Sequence, residues 1–451
     1  MSLHIPIFFI FATATLIPTI LSNLLLHPSQ TRQLSPCSSP LPSDLPLPTN
    51  PKLPDPFRFL DANPNSHTDN RATTKQSFLE CRQEQVRALF QRYELGELPP
   101  RPEVMTASFT SNQGEEGEGE DRGERSGTLT IHCVEKGREI SFSVNISYPS
   151  STKGTTNLIN PGGAYPAVIA FGSLSIPLPT TTTTADSNND KIAIITFNNT
   201  DLAAQTDPKS RGIGKFYDLY SANHSAGAMI AWAWGVSRIL DALESPTIAP
   251  LTKIRVDRIG VTGCSRNGKG VLVAGAFDER IALTIPQESG SGGAACWRLS
   301  DAMWDSGQNV QTAREIVTEN VWFSTRFDAY AETDVDVLPF DHHMLAGLVA
   351  PRGLFVVENT GIEWLGNMSC YGCMKTARKV WTALGVEDRM GFSQVGNHEH
   401  CVFPASQERD LFAFVDRFLL DQPADTDVTY TDGTFEFDEA QWIDWTVPKL
   451  Q

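Results

Sequence analysis

The feature that most constrains this chain is the stretch GVTGCSRNGKG at residues 260–270. It follows KIRVDRIGV, which reads as a buried strand. It precedes VLVAGAFDERIA, whose apolar spacing suits a helix opening at the glycines. A strand, a tight turn and a helix leave one place for Ser265: a strained corner where a side chain is held out from the top of a sheet. Hydrolases present a nucleophile in this way. The usual pattern is G-x-S-x-G; here Gly263 fits, Asn267 stands where the second glycine belongs, and Gly268 follows one residue late. On pattern alone, a glycine-rich turn with an incidental serine is an equal reading.

With 451 residues and 40% of them hydrophobic, one large domain can bury a full core, and a second is not required. A formal net charge of −17 argues against nucleic acid or anionic membrane as a partner. Residues 1–22, MSLHIPIFFIFATATLIPTILS, are short and apolar and read as a secretory signal peptide; an uncleaved anchor is the weaker alternative, raised by the lack of Lys and Arg before the apolar run. No other run is long enough to span a membrane. In an oxidising compartment, eight cysteines suggest disulfides. Glycosylation sequons at Asn145, Asn198, Asn223 and Asn367 agree with secretion.

Residues 23–56 are rich in Pro, Ser and Leu and read as a linker or wrapped arm, leaving residues 57–451 as a single catalytic domain. SFLECRQEQVRALFQRYELGELP has apolar residues at helical spacing and stops at Gly96 and a proline pair. Residues 111–127 are too acidic and glycine-rich to fold alone, and form a flexible insertion between strands that alternate, ASFTS and GTLTIHCV, then REISFSVNISYP. From Tyr165 the character changes. YPAVIAFGS and KIAIITFNN are continuous apolar runs, as expected of strands covered on both faces. The helical stretch SAGAMIAWAWGVSRILDALES and the strands IALTIP, RGLFVVE and MGFSQVG continue the alternation. The expected class is α/β, a mostly parallel sheet with helices on both faces and reactive groups at the carboxyl ends of its strands.

A serine nucleophile needs a base, and the base needs a carboxylate. GNHEHCVFP follows the last of these strands, where a hydrolase of this architecture keeps its histidine, and His400 is preferred over His398. Cys264 precedes Ser265 and Cys401 follows His400; a disulfide between them would hold their Cα atoms within about 7 Å and bring nucleophile and base together. Otherwise both are buried thiols and the histidines are polar surface residues. His342 and His343 read as structural. For the carboxylate, Glu288 and Glu358 both stand at strand ends; the glycines after Glu288 tip the choice mildly to it. The backbone N–H of Arg266, next after the serine, is the expected first oxyanion donor, and its guanidinium a possible second.

The stretches GCSRNGKG, PQESGSGGAACWRLSD, QTAREIVTENVWFS, LPFDHHMLAGLVAPRGLFVVEN, EWLG, CYGCM and HEHCVFP together resemble the fungal glucuronoyl esterases of carbohydrate esterase family 15. The resemblance runs from NPKLPDPF to FVDRFLL. It implies an α/β-hydrolase fold, a three-layer sandwich needing no metal or cofactor, that cleaves esters joining 4-O-methyl-glucuronic acid of glucuronoxylan to lignin alcohols. It implies Ser265 as nucleophile, His400 as base, Glu288 as acid and Arg266 in the oxyanion hole. Lys269, Gln311, Glu319 and Trp364 are implied to contact the uronate. Implied disulfides join Cys37 with Cys81, Cys264 with Cys401 and Cys296 with Cys373, leaving Cys133 and Cys370 open. The acidic insertion, the lengthened Pro-rich segment and small insertions near Asp334 and Thr360 depart from the family pattern. The expectation is a secreted, extracellular monomer acting on lignin–carbohydrate esters, with no nucleic-acid or membrane partner. Rival readings are an acetyl or feruloyl xylan esterase, or a noncatalytic carbohydrate-binding relative.

Overall fold

The computed structural model describes residue 1, residue 37 and residues 41–61, 70–112, 126–149, 164–179 and 192–451. The signal segment from residue 2 and most of the acidic insertion lie outside these. The chain divides into two compact units, Met1–Cys37 and Ser38–Gln451, and the second carries the sheet. Among the described residues no helix is long and apolar enough to cross a membrane.

Among the described residues ten strands form one sheet: β1 (Val104–Asn112), β2 (Ser126–Glu135), β3 (Arg138–Ser147), β4 (Tyr165–Phe171), β5 (Ala193–Phe197), β6 (Ile254–Cys264), β7 (Ile281–Gln287), β8 (Gly353–Asn359), β9 (Met390–Val395) and β10 (Thr429–Thr431). Their order is β1-β2-β3-β5-β4-β6-β7-β8-β9-β10. The first three pair antiparallel, and β3 joins β5 antiparallel. From β5 to β10 every pair is parallel.

Burial follows the pairing type. In β2 and β3 buried residues alternate with exposed or half-buried ones, because only one face of this antiparallel wing is covered. β4 is buried from Pro166 to Phe171, as its continuous apolar run predicts, and β8 and β9 are buried throughout. Two of the expected buried strands depart from this: Ile194 and Thr196 of β5 are half-buried, and in the first half of β6 Arg255 and Arg258 emerge to pair with Asp421. β10 was not expected from sequence; at three residues it is too short to show a period.

The two faces have separate cores. Val168, Leu283, Ile285, Phe355 and Val357 point to one side and pack on Leu411, Phe414 and Val415 of the helix Glu408–Phe418. Their strand neighbours Ala167, Ile169, Leu354 and Val356 point to the other, against Trp232, Val271 and Val380. Those three come from the helices Ala228–Leu243, Arg266–Phe277 and Asn367–Leu384. Helices on both faces of a mostly parallel sheet make the expected α/β-hydrolase sandwich.

The helical segment after residue 76 is three consecutive helical pieces, Ser77–Arg82, Gln83–Phe90 and Gln91–Leu95, closed by Gly96 at φ 79°. Residues 41–56 lie along the Ser38–Gln451 unit: Asn50 N donates to Asp336 O, Leu53 N donates to Trp442 O, and Leu53 is fully buried. Cys37 and Cys81 are each disulfide-bonded. Cys296 is bridged to Cys373, while Cys133 and Cys370 are buried free thiols.

Candidate active site

β6 ends at Cys264, and the helix Arg266–Phe277 starts two residues later. Ser265 between them has φ 59° and ψ −128°, a conformation a non-glycine residue holds only under constraint. The constraint is visible: Ser265 N donates to Gln287 O at 2.9 Å, and Ser265 O accepts from Lys269 N at 3.0 Å. The helix was expected to open at the glycines and run past Phe277. It opens earlier and ends there, since Gly268 and Gly270 serve packing inside it. A Cβ on Gly268 would lie 2.7 Å from Gln287 O, and one on Gly270 2.6 Å from the Trp232 ring.

Asn267, in place of the second motif glycine, has a duty the pattern does not show. Its Nδ2 donates to Phe171 O at the end of β4, and its Oδ1 accepts from Asn199 and Gln205. Gln205 in turn accepts from the Trp322 indole N–H at 3.1 Å. The Arg266 guanidinium lies over that indole, 5.4 Å from the ring centroid. The turn, the end of β4 and the residue next to Ser265 are therefore one hydrogen-bonded assembly.

His400 arrives on the loop after β9. Cys401 is bridged to Cys264 with Cα atoms 5.7 Å apart, so the loop bearing His400 is covalently tied to the residue before Ser265. Cys264 Sγ, Cys401 Sγ and an imidazole nitrogen of His400 lie within 4.8 Å of one another. Both sulfurs are spent in the bridge, so this group offers no thiolate to a metal. His400 Nδ1 donates to Glu288 Oε2 at 2.6 Å, and Cys401 N donates to the same oxygen at 3.1 Å. Nε2 of His400 is buried and has no hydrogen-bond partner among the described residues. His398 Nε2 donates to Val395 O, and its Nδ1 lies 3.7 Å from Glu288 Oε1, farther from the carboxylate than the His400 contact.

Glu288 is completely buried, with φ 43° where the chain leaves β7. Glu358 is also buried, but its Oε1 accepts from Ser289 N, Ser289 Oγ and Gly290 N at 2.8, 2.9 and 3.2 Å. The open choice between the two carboxylates thus resolves on hydrogen bonding: the imidazole is on Glu288. Burial pushes the Glu358 carboxyl up to about 7, and the nearby Glu288 charge adds to this.

Of the expected sugar contacts, Gln311, Glu319 and Trp364 are brought together. Gln311 Nε2 donates to Glu319 Oε2 at 2.7 Å, Gln311 N donates to Trp364 O, and the Trp364 ring lies 5.0 Å from that of His400. The insertion near Thr360 does not free this turn, because Thr360 Oγ1 donates to Asp432 and Thr360 O accepts from Asn367 Nδ2. Lys269, also expected to contact the uronate, lies on the helix after Ser265. It is 3% exposed, and Nζ donates to Ser289 O and Ser291 O, which leaves one N–H for a ligand. Burial pulls its ammonium down to about 8.

His342 and His343 are buried and structural, as expected. His342 bonds Gly293 O and Glu94, and His343 bonds Pro54 O. Among the sequons, Asn145, Asn198 and Asn223 are exposed. Asn367 is a poor fit to glycosylation in the folded chain: it is half-buried with its amide on Thr360 O, and Ser369 of the same triplet is fully buried. Sequence reasoning gave no role to Gln205 or to Trp322, although Trp322 lies in the stretch QTAREIVTENVWFS; only Asn267, standing where a glycine belongs, signalled a special turn.

The family model for fungal glucuronyl esterases matches residues 131–385. A 4-O-methyl-glucuronoyl methylesterase from Hypocrea jecorina is 51% identical over 414 residues, covering 92% of this chain and 79% of that protein. One from Wolfiporia cocos is 47% identical, covering 97% of this chain and 98% of its own length. The solved glucuronoyl esterase catalytic domain from Hypocrea jecorina superposes with a TM-score of 0.78 at 50% identity, covering 91% of this chain and all of that one. A mutant glucuronoyl esterase from Sporotrichum thermophile, serine replaced by alanine, was solved with methyl 4-O-methyl-β-D-glucopyranuronate; it is 42% identical, with a TM-score of 0.78 over 91% of this chain and 99% of that one.

Proposed function

This chain belongs to the fungal glucuronoyl esterase family, and we propose that it hydrolyses esters of 4-O-methyl-glucuronic acid through an acyl-enzyme on Ser265. In this reading His400 Nε2 takes the proton of Ser265 Oγ as the oxygen attacks the ester carbonyl. The tetrahedral oxyanion is met by the Arg266 N–H at the start of the helix, with the guanidinium over Trp322 as a second donor. The imidazolium is stabilised by the buried Glu288 carboxylate and returns its proton to the leaving alcohol. Water then repeats the sequence on the acyl-enzyme.

Gln311, Glu319 and the remaining N–H of Lys269 address the sugar hydroxyls, while Trp364 covers an apolar sugar face beside His400. All of these recognise the acid. The alcohol is free to extend into solvent, so lignin alcohols of lignin–carbohydrate esters fit as the leaving side. The N-terminal apolar segment, the exposed sequons and the disulfides support an extracellular, secreted protein, and we take the working unit to be a monomer.

The observation that carries this reading is the 2.6 Å bond from His400 to Glu288 on a loop bridged to the residue before Ser265. The test is Ser265→Ala on a methyl or benzyl ester of glucuronic acid beside acetylated and feruloylated xylan. Loss of glucuronate ester turnover with the variant still folded is expected. Undiminished turnover sinks Ser265 as the nucleophile, and a preference for the xylan esters points to a different carbohydrate esterase. Failure of a fluorophosphonate to label the wild type would favour a noncatalytic carbohydrate-binding protein.

A further inference from the structure

We propose that Glu358 is a positioning residue: together with Lys269 it clamps the peptide groups that follow Glu288 from opposite sides, and so holds the Glu288 carboxylate on His400. The proposal rests on the esterase reading for the roles of Glu288 and His400, but the clamp itself is read from backbone geometry. The loop after β7 has a conformation its sequence does not favour on its own. Glu288, Gly290 and Gly292 have φ values of 43°, 54° and 80°, and glycine-rich backbone loses more freedom than most when it is ordered. Residues 288–291 are nevertheless fully buried, so every peptide group there needs a partner within the protein.

The partners come as a charged pair. On one side Ser289 N, Gly290 N and Ser289 Oγ donate to the single oxygen Oε1 of Glu358. On the other, Ser289 O and Ser291 O accept from Lys269 Nζ. Ser289 Oγ also accepts from Ala294 N at 2.9 Å, which extends the hold to the far end of the loop. A carboxyl oxygen takes the N–H side and an ammonium the C=O side, and the bonds from the ammonium are stronger than neutral donors would make.

The geometry also separates positioning from catalysis. Glu358 spends Oε1 on the loop, and His400 Nδ1 is already on Glu288, so Glu358 acts through residues 289–290. The same loop bears on the sugar side of the site, because a Cβ on Gly290 would lie 2.8 Å from Leu365 O, next to Trp364. The charged and titratable groups facing Glu358 are Lys269 from the helix after Ser265, Glu288 from the end of β7, and the Cys370 thiol from the helix Asn367–Leu384.

The experiment measures ester turnover and, independently of substrate, the pH dependence of fluorophosphonate labelling at Ser265. It compares wild type, Glu358→Ala, Glu358→Gln and Ser289→Ala, each checked for folding by near-UV circular dichroism. With Glu358→Ala, kcat and the labelling rate should fall about 100-fold, the cost of a misplacement near 1 Å, with KM changed less than threefold. The acid limb of labelling should move to lower pH as Glu288 loosens from the imidazole. Glu358→Gln keeps an acceptor oxygen for the loop and should recover at least tenfold of that loss; Ser289→Ala removes one donor and should lie between.

Glu358→Ala with labelling within threefold of wild type and an unmoved acid limb overturns the proposal. So does a Glu358→Gln variant as slow as the alanine. If Glu358→Ala does not fold, Ser289→Ala decides: wild-type labelling there refutes the clamp. A wild type that labels normally but ignores glucuronate esters would refute the substrate reading and leave the labelling series to judge the clamp.

Discussion

Replacing Glu288 by Gln should remove most of the catalytic power while leaving the fold in place. The carboxylate is fully buried and meets His400 Nδ1 at 2.6 Å, which puts the charge centres of an imidazolium–carboxylate pair about 4 Å apart. At an effective dielectric of about 20, two unit charges at that distance attract by about 4 kcal/mol. The imidazolium exists fully only in the transition states and tetrahedral intermediate, so the attraction is lost from the barrier and not from ground-state binding. That predicts a fall in kcat of about three powers of ten, with KM little changed.

The assay is steady-state hydrolysis of a benzyl ester of glucuronic acid from acid to neutral pH, with burst kinetics to isolate acylation. The acid limb of kcat/KM should move to lower pH, because a neutral amide no longer favours the cation. Fold integrity is expected because Glu288 N still donates to Val357 O and the Cys264–Cys401 bridge is untouched. A Glu288→Gln enzyme within tenfold of wild type would refute the assignment of the acid.

Removing both halves of the Cys264–Cys401 bridge should destabilise the chain by about 3–5 kcal/mol, since it closes a loop of 137 residues; a denaturation midpoint that does not move would contradict this. Gly268→Ala should cost about 1–3 kcal/mol and slow turnover, because the new Cβ meets Gln287 O, a backbone atom that cannot swing away; thermal melting and kcat report it together. For pH, the folded Glu358 carboxyl sits at about 7, above its ordinary value of 4.5, chiefly through burial. An acid raised on folding holds its proton more tightly in the folded state, so its contribution is fully present below about pH 4.5 and is lost as pH rises to about 7. Wild type should therefore lose stability relative to Glu358→Gln across that window, by at most about 3 kcal/mol, as measured by melting temperature against pH.

Much of the site was legible because it is built from local patterns. The strand–turn–helix around Ser265 and the HEHC segment after the last expected strand each carry their chemistry within a few residues. Period and apolar runs likewise separated the one-sided strands β2 and β3 from β4, which is buried from Pro166 to Phe171. The helix start at Arg266 was misplaced because glycine reads as a breaker in sequence, while Gly268 and Gly270 are there to let backbone and Trp232 come close. The roles of Gln205 and Trp322 were not legible, since they are joined to Asn267 and Arg266 only through contacts distant along the chain.

By itself, then, the sequence determined the layered α/β architecture, the serine corner and the histidine proposed to serve it, because hydrophobic period and turn chemistry are short-range properties. Which carboxylate serves that histidine was decided only in three dimensions. Glu288 stands just beyond β7 with a positive φ that turns its side chain onto His400, whereas Glu358 is still inside β8 and its carboxylate is taken up by Ser289 and Gly290. Two glutamates at the ends of adjacent parallel strands look alike in sequence, and one backbone torsion with the registry of its neighbour gives them different work.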